Sequence, residues 1–193
     1  MFANVRRLFT VRRPAVVVSR ADAAAPTLAH RPVLVGGQPL PWLAPTSRDG
    51  GDKVVFVGRL DRAWTFRWMR VQVRAGRPLH IELFVPDLTP ENSLPLDRLP
   101  RALVVQPRGR ATLLRPILRV PFTDPDNGHR YLLLHAYESA PAAGTYAVLV
   151  TGRAPARFAV AHGGPGATAS HFAGVRHGTV ATPAQVTRWY VGD

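Results

Sequence analysis

The residues best equipped for chemistry lie in the run Phe122-Thr123-Asp124-Pro125-Asp126-Asn127-Gly128, where two carboxylates and an amide share one short stretch. Oxygen ligands of this kind suit calcium, so Asp124 and Asp126 are the metal candidates of the chain. The run lacks the length and the closing glutamate of an EF-hand loop. Asp, Asn and Gly together are also ordinary turn chemistry, and the sequence favours the turn. The seven histidines include His129 and His135, an even number of residues apart on one strand, and His162, His171 and His177 further on. Their spacings match no compact zinc or copper motif. Ser139 and Ser170 lack the strand-turn-helix context of an activated nucleophile. Gly163-Gly164-Pro165-Gly166 is followed by no Lys-Ser/Thr pair, so it is no phosphate loop. Asp87, Glu91 and Asp97 lie along a proline-rich stretch, and their spacing singles out no carboxylate pair for glycosidase chemistry. The expectation is a protein that is not an enzyme and needs no cofactor.

Charge is the stronger signal. The chain carries 25 Lys and Arg against 12 Asp and Glu, a formal charge of +13, and Lys53 is its one lysine. Such a molecule is drawn to polyanions, whether nucleic acid, anionic lipid or an acidic protein, with an affinity that falls as salt rises. No nucleic-acid-binding motif accompanies the charge, which favours a soluble domain with an arginine-rich face. Arg67, Arg70 and Arg74 are the candidates for that face. The absence of cysteine excludes disulfides and thiolate metal sites. No apolar run approaches the roughly 20 residues of a membrane-spanning helix.

The elements that must carry these residues read as strands. The 19 prolines and 16 glycines divide the chain into short segments. Lys53 to Val57 forms one strand, and Trp42, in the Pro/Gly-rich loop before it, is expected to cover an open edge of the core. From Trp64 the aromatics Trp64, Phe66 and Trp68 alternate, yet from Met69 the apolar set becomes Met69, Val71 and Val73. The phase changes by one residue. A β-bulge at Trp68 and Met69 would return both sets to the core and align Arg67, Arg70 and Arg74 outside. Leu79, Ile81, Leu83 and Val85 alternate cleanly, and Pro86 to Pro100 is a long loop. Arg101 to Gln106 and Thr112 to Val120 supply two more strands. His129 to His162 then reads as three consecutive strands with two tight turns. Near the C-terminus, Thr182-Pro183-Ala184-Gln185 offers an N-cap, a first-turn proline and a capping-box glutamine for a short helix. Val186, Trp189 and Tyr190 share one face of it, and Trp189 and Tyr190 are candidates for contact with a partner protein.

The closing strands, with Gly144-Thr145-Tyr146, alternating valines, a short turn and Arg157-Phe158-Ala159-Val160, resemble those of bacterial pre-peptidase C-terminal domains. The resemblance extends back to about residue 53 through Trp64 to Trp68 and Leu79 to Leu83. It implies a small extracytoplasmic β-sandwich, periplasmic or secreted. The arginine content departs from that family's pattern.

Together these readings give an all-β, antiparallel, jelly-roll-like β-sandwich over residues 32–162. A basic arm or targeting segment covers 1–31, and an extension with a short helix covers 163–193. The function expected is that of a non-catalytic extracytoplasmic accessory or binding domain acting through protein-protein contacts. The competing reading is a basic structural subunit of a larger assembly, mitochondrial in setting, that contacts an acidic partner or nucleic acid. The Arg-rich, acid-poor start of the chain supports it.

Overall fold

A computed structural model describes residues 30–38, 40–125, 127–163 and 172–193. The expected N-terminal arm falls almost wholly outside these residues, as do Asp126, Ser170 and His171. Twelve strands are described: β1 (Arg31–Val35), β2 (Thr46–Ser47), β3 (Val54–Leu60), β4 (Phe66–Val73), β5 (His80–Pro86), β6 (Arg101–Val105), β7 (Ala111–Leu114), β8 (Val120–Thr123), β9 (Arg130–Glu138), β10 (Gly144–Thr151), β11 (Ala156–His162) and β12 (Val175–Arg176). A single 3-10 turn, Pro41–Leu43, precedes β2, and the helix α1 (Pro183–Val191) closes the chain.

The strands form two six-stranded sheets, ordered β1-β3-β11-β5-β9-β8 and β12-β2-β4-β10-β6-β7. Inward residues of both sheets make one continuous core, including Phe56, Leu60, Ile81, Leu83 and Phe158 from the first and Met69, Val104, Tyr146 and Val148 from the second. This is the expected sandwich with one correction. Both sheets are mixed, because β1 runs parallel to β3 and β2 runs parallel to β4. A parallel neighbour needs a long connection to reach its place. The loop between β1 and β3, rich in proline and glycine, provides that length.

The expected bulge in β4 is absent. Phe66 to Val73 pair with Thr151 to Gly144 without interruption. Met69, Val71 and Val73 are buried, whereas Phe66 is 52% exposed and Trp64 55% exposed. Period-two geometry allows only one of the two apolar sets to face inward without an extra residue. The valine set faces the core, and the aromatic set faces out. The bulge lies instead in β9, where Leu83 pairs with His135 but Phe84 pairs with Leu133. The extra residue, Leu134, is fully buried, and the shift lets Leu132 and Leu134 on one side of it, and Tyr137 on the other, all reach the core.

A second apolar layer lies on the other face of the first sheet. Val55, Val57, Phe84, Phe122, Tyr131, Ala159 and Ala161 meet Trp189 and Tyr190 of α1 there. As a result β11 is buried along its whole length. The helix is capped as the sequence predicts, by reciprocal bonds between Thr182 and Gln185, and Gly192 ends it in the left-handed conformation at φ 95°. Residues on either side of the connection also dock. Val175 and Arg176 pair with Ser47 and Thr46, and the Ala181 amide donates to the Pro32 carbonyl.

Candidate functional site

The two outer faces of the sandwich differ. The first sheet is covered by α1, but no helix or further strand among the described residues lies over the second. Strand alternation puts Phe66, Trp68, Arg70 and Gln72 of β4 on that open face, with Thr145, Ala147, Leu149 and Thr151 of β10 and Arg101, Leu103 and Val105 of β6 beside them. Register then lines up four apolar side chains. Trp68 sits opposite Leu149, Leu149 opposite Leu103, and Leu103 opposite Leu113 of β7. At strand spacing the row is about 14 Å wide. Leu113 is 40% exposed, and the three others are half-buried by their neighbours.

Beside this row stands Trp64. Its backbone lies at φ 62°, a region a bulky residue adopts only when its surroundings hold it. Its amide donates to the Gly152 carbonyl at 2.8 Å. The Arg101 and Arg153 guanidiniums lie 5.4 and 5.9 Å from its ring. Rigidly presented aromatics flanked by arginine are the usual composition of binding hot spots. Arg70 and Arg101, both on this face, make no ion pair with the described residues.

The three arginines expected in a row are dispersed. Without a bulge, Arg67 shares the inward parity of Met69 and sits at the open end of β4, where Asp61 binds its Nη2 at 2.5 Å. Arg70 faces out on the open sheet. Arg74 lies past the strand end and pairs with Asp49 at 2.9 Å. Trp189 and Tyr190, the candidates for contact with a partner, pack on the first sheet of their own chain. Each is less than a tenth exposed, the Trp189 Nε1–H donates to the Gly58 carbonyl, and the Tyr190 hydroxyl bonds both the amide and the carbonyl of Arg130. Their apolar area is used within the chain. Trp42, expected over a core edge, is 61% exposed.

Asp124 is a turn residue, as favoured. Its carbonyl accepts from the Gly128 amide, its Oδ2 accepts from Asn127 Nδ2 at 2.8 Å, and Asn127 Oδ1 accepts from the His129 amide. Among the described residues no cluster of three or more His, Asp and Glu could hold a metal ion. The other half of the calcium candidate, Asp126, is outside them.

The histidines separate by environment. Burial pushes His162 down to about 3, with the neighbouring His30 adding to the effect, and pushes His30 down to about 4. His162 packs its ring against Phe56 at 5.8 Å. His80 is raised, chiefly by its bond to Glu82 and then by Glu138. His129 is lowered by burial and stacks on the Tyr190 ring at 3.9 Å.

Sequence reasoning missed the strongest polar contact. Glu91, from the long loop after β5, is buried against Arg157 of β11 and accepts from its amide, Nε and Nη2. Arg157 also donates to the carbonyls of Thr89 and Tyr190, tying the loop, the sheet and the end of α1 together. A charged residue inside an otherwise apolar strand was its only signal. The chain matches no protein-family model and no curated protein.

Proposed function

We propose that the protein is a non-catalytic binding domain that docks an acidic protein on the outer face of its second sheet. The observation that carries this reading is the apolar row Trp68-Leu149-Leu103-Leu113 on a sheet that no helix or further strand among the described residues covers, with a conformationally held Trp64, Arg70 and Arg101 at its border. Apolar faces of this kind, rimmed by charge, serve protein contacts. The excess of positive charge opposes a second copy of the same chain and favours a partner of opposite sign. The resemblance in the closing strands adds an extracytoplasmic setting to this reading.

The test uses the full chain as bait in native extract of its source, compared with Trp64→Ser and Leu113→Asp. Both positions are exposed, so the variants should melt within about 2 °C of the parent. The expected result is one stoichiometric acidic protein, released by salt and lost from both variants. Retention of the same proteins by parent and variants would reject the face. Retention of nucleic acid alone would favour the basic assembly subunit.

A further inference from the structure

The 3-10 turn before β2 sets an apolar tip on a buried base. Ala44, Pro45 and Thr46 are buried, whereas Leu40, Trp42 and Leu43 are 38%, 61% and 44% exposed. The base is fixed on two sides. The Pro45 carbonyl accepts from the Arg70 amide at 2.8 Å, and Gly178 lies so close to Pro45 that an added Cβ would come within 2.9 Å of it. The tip is stiff as well, because Pro41 has a fixed φ and the Leu43 and Ala44 amides donate back to the Leu40 and Pro41 carbonyls. Three large apolar side chains within four residues are thus held toward solvent, with little freedom to fold away.

The backbone of this tip suits a medium without water. Pro41 and Pro45 have no N–H to leave unsatisfied, and those of Leu43 and Ala44 are bonded within the turn. In hydrocarbon each unbonded polar group is costly. Trp42 adds an indole, whose apolar body and polar N–H favour the level of lipid headgroups. Positive charge stands at the base. Thr46 of β2 is opposite Arg70 of β4 on one side and Arg176 of β12 on the other, so both arginines share the outer face of the second sheet about 10 Å apart. Neither takes part in an ion pair among the described residues. An apolar tip beside arginines, on a chain of formal charge +13, matches an anionic bilayer, where apolar insertion and attraction to lipid charge add. Nucleic acid would also attract the charge, but it has no apolar interior to receive Leu40 and Leu43.

We propose that residues 40–43 are an interfacial anchor that sets the protein on an anionic lipid surface, with Leu40, Trp42 and Leu43 at the acyl boundary and Arg70 and Arg176 against headgroups. The anchor is at β2, on the far side of β4 from the row that ends at Leu113, so it does not depend on the proposed protein contact.

The full chain is sedimented with vesicles of phosphatidylcholine alone and of phosphatidylcholine mixed with phosphatidylserine. It should bind the mixed vesicles at least about tenfold more tightly, and salt should weaken that binding. Trp42→Ser with Leu43→Ser changes two exposed positions, so this variant should melt within about 2 °C of the parent. Its affinity for the mixed vesicles should fall about tenfold or more. Arg176→Glu should weaken binding about threefold or more. Lipids brominated on the upper acyl chain should quench the parent's tryptophan fluorescence, and Trp42→Phe, which keeps an apolar ring, should bind but lose most of that quenching. Trp64→Ser, on the proposed protein-docking face, should bind vesicles as the parent does. No binding to mixed vesicles, a Trp42→Ser, Leu43→Ser variant that binds them as the parent does, quenching unchanged in Trp42→Phe, or a loss in Trp64→Ser equal to that of the double variant would each overturn the anchor. Binding of a single-stranded oligonucleotide that depends on Trp42, with vesicles left unbound, would assign the turn to nucleic acid instead.

Discussion

Replacing Glu91 by alanine should be among the most damaging single changes in this protein. The side chains of Glu91 and Arg157 are 1% and 5% exposed, and Glu91 accepts three bonds from Arg157. Removal leaves a guanidinium in the interior whose remaining acceptors among the described residues are the neutral carbonyls of Thr89 and Tyr190. Breaking a buried pair from one side costs about 3–5 kcal/mol, because the remaining charge is uncompensated. For a chain of this size that corresponds to a fall in Tm of about 6–20 °C. Urea unfolding with an unchanged m-value would show that stability alone has changed. Arg74→Ala is the matched control, since its partner Asp49 is reached from a side chain that is 67% exposed, and its loss should cost no more than about 1 kcal/mol. Replacing both members, Glu91→Met with Arg157→Met, should destabilise less than the two single changes added together. A loss below about 1 kcal/mol for Glu91→Ala, or strict additivity in the pair, would refute the argument that an unpaired buried charge sets the magnitude.

Deleting residues 182–193 should lower the Tm of the domain measured by calorimetry, because Trp189 and Tyr190 cover the first sheet; an unchanged Tm would show that the helix does not stabilise its own domain. Stability should also fall in acid. His162 and His30 have folded pKa values near 3 and 4, below their ordinary 6.5, so the native state binds fewer protons than the unfolded chain between those values and 6.5. Each histidine therefore contributes stability that is present above pH 6.5 and is lost as pH falls, with a slope approaching about 1.4 kcal/mol per pH unit. His80, raised by Glu82, works in the opposite sense: its contribution is present below 6.5 and is lost as pH rises through its folded value. Chemical denaturation from pH 7 to pH 4 should show the fall in the parent and a shallower one in His162→Phe, which keeps the ring against Phe56; equal slopes would exclude His162 as a source.

Much of the architecture was legible locally. Alternation in β5 and β10, the turn glycine at Gly144 with φ 129°, and the Thr182–Gln185 capping box are short-range signals, and each corresponds to an observed element. The turn at Asp124 and Asn127 was legible for the same reason, since its bonds join residues only a few positions apart. Orientation was not local. In β4 two apolar sets competed for one face, and only pairing with β10 and the core beyond it selects Met69, Val71 and Val73 and turns Phe66 and Trp68 outward. The bulge at Leu134 depends on register with β5, which no pattern within β9 contains. Glu91 and Arg157 are 66 residues apart in the chain, and Trp189 finds Gly58 across 131. Such contacts depend on the crossing of loops and sheets. The apolar row on the open face is likewise assembled from four strands, one residue from each. Composition established that the protein is basic, rich in turns and all-β. Tertiary register alone places its exposed aromatics and its buried charge.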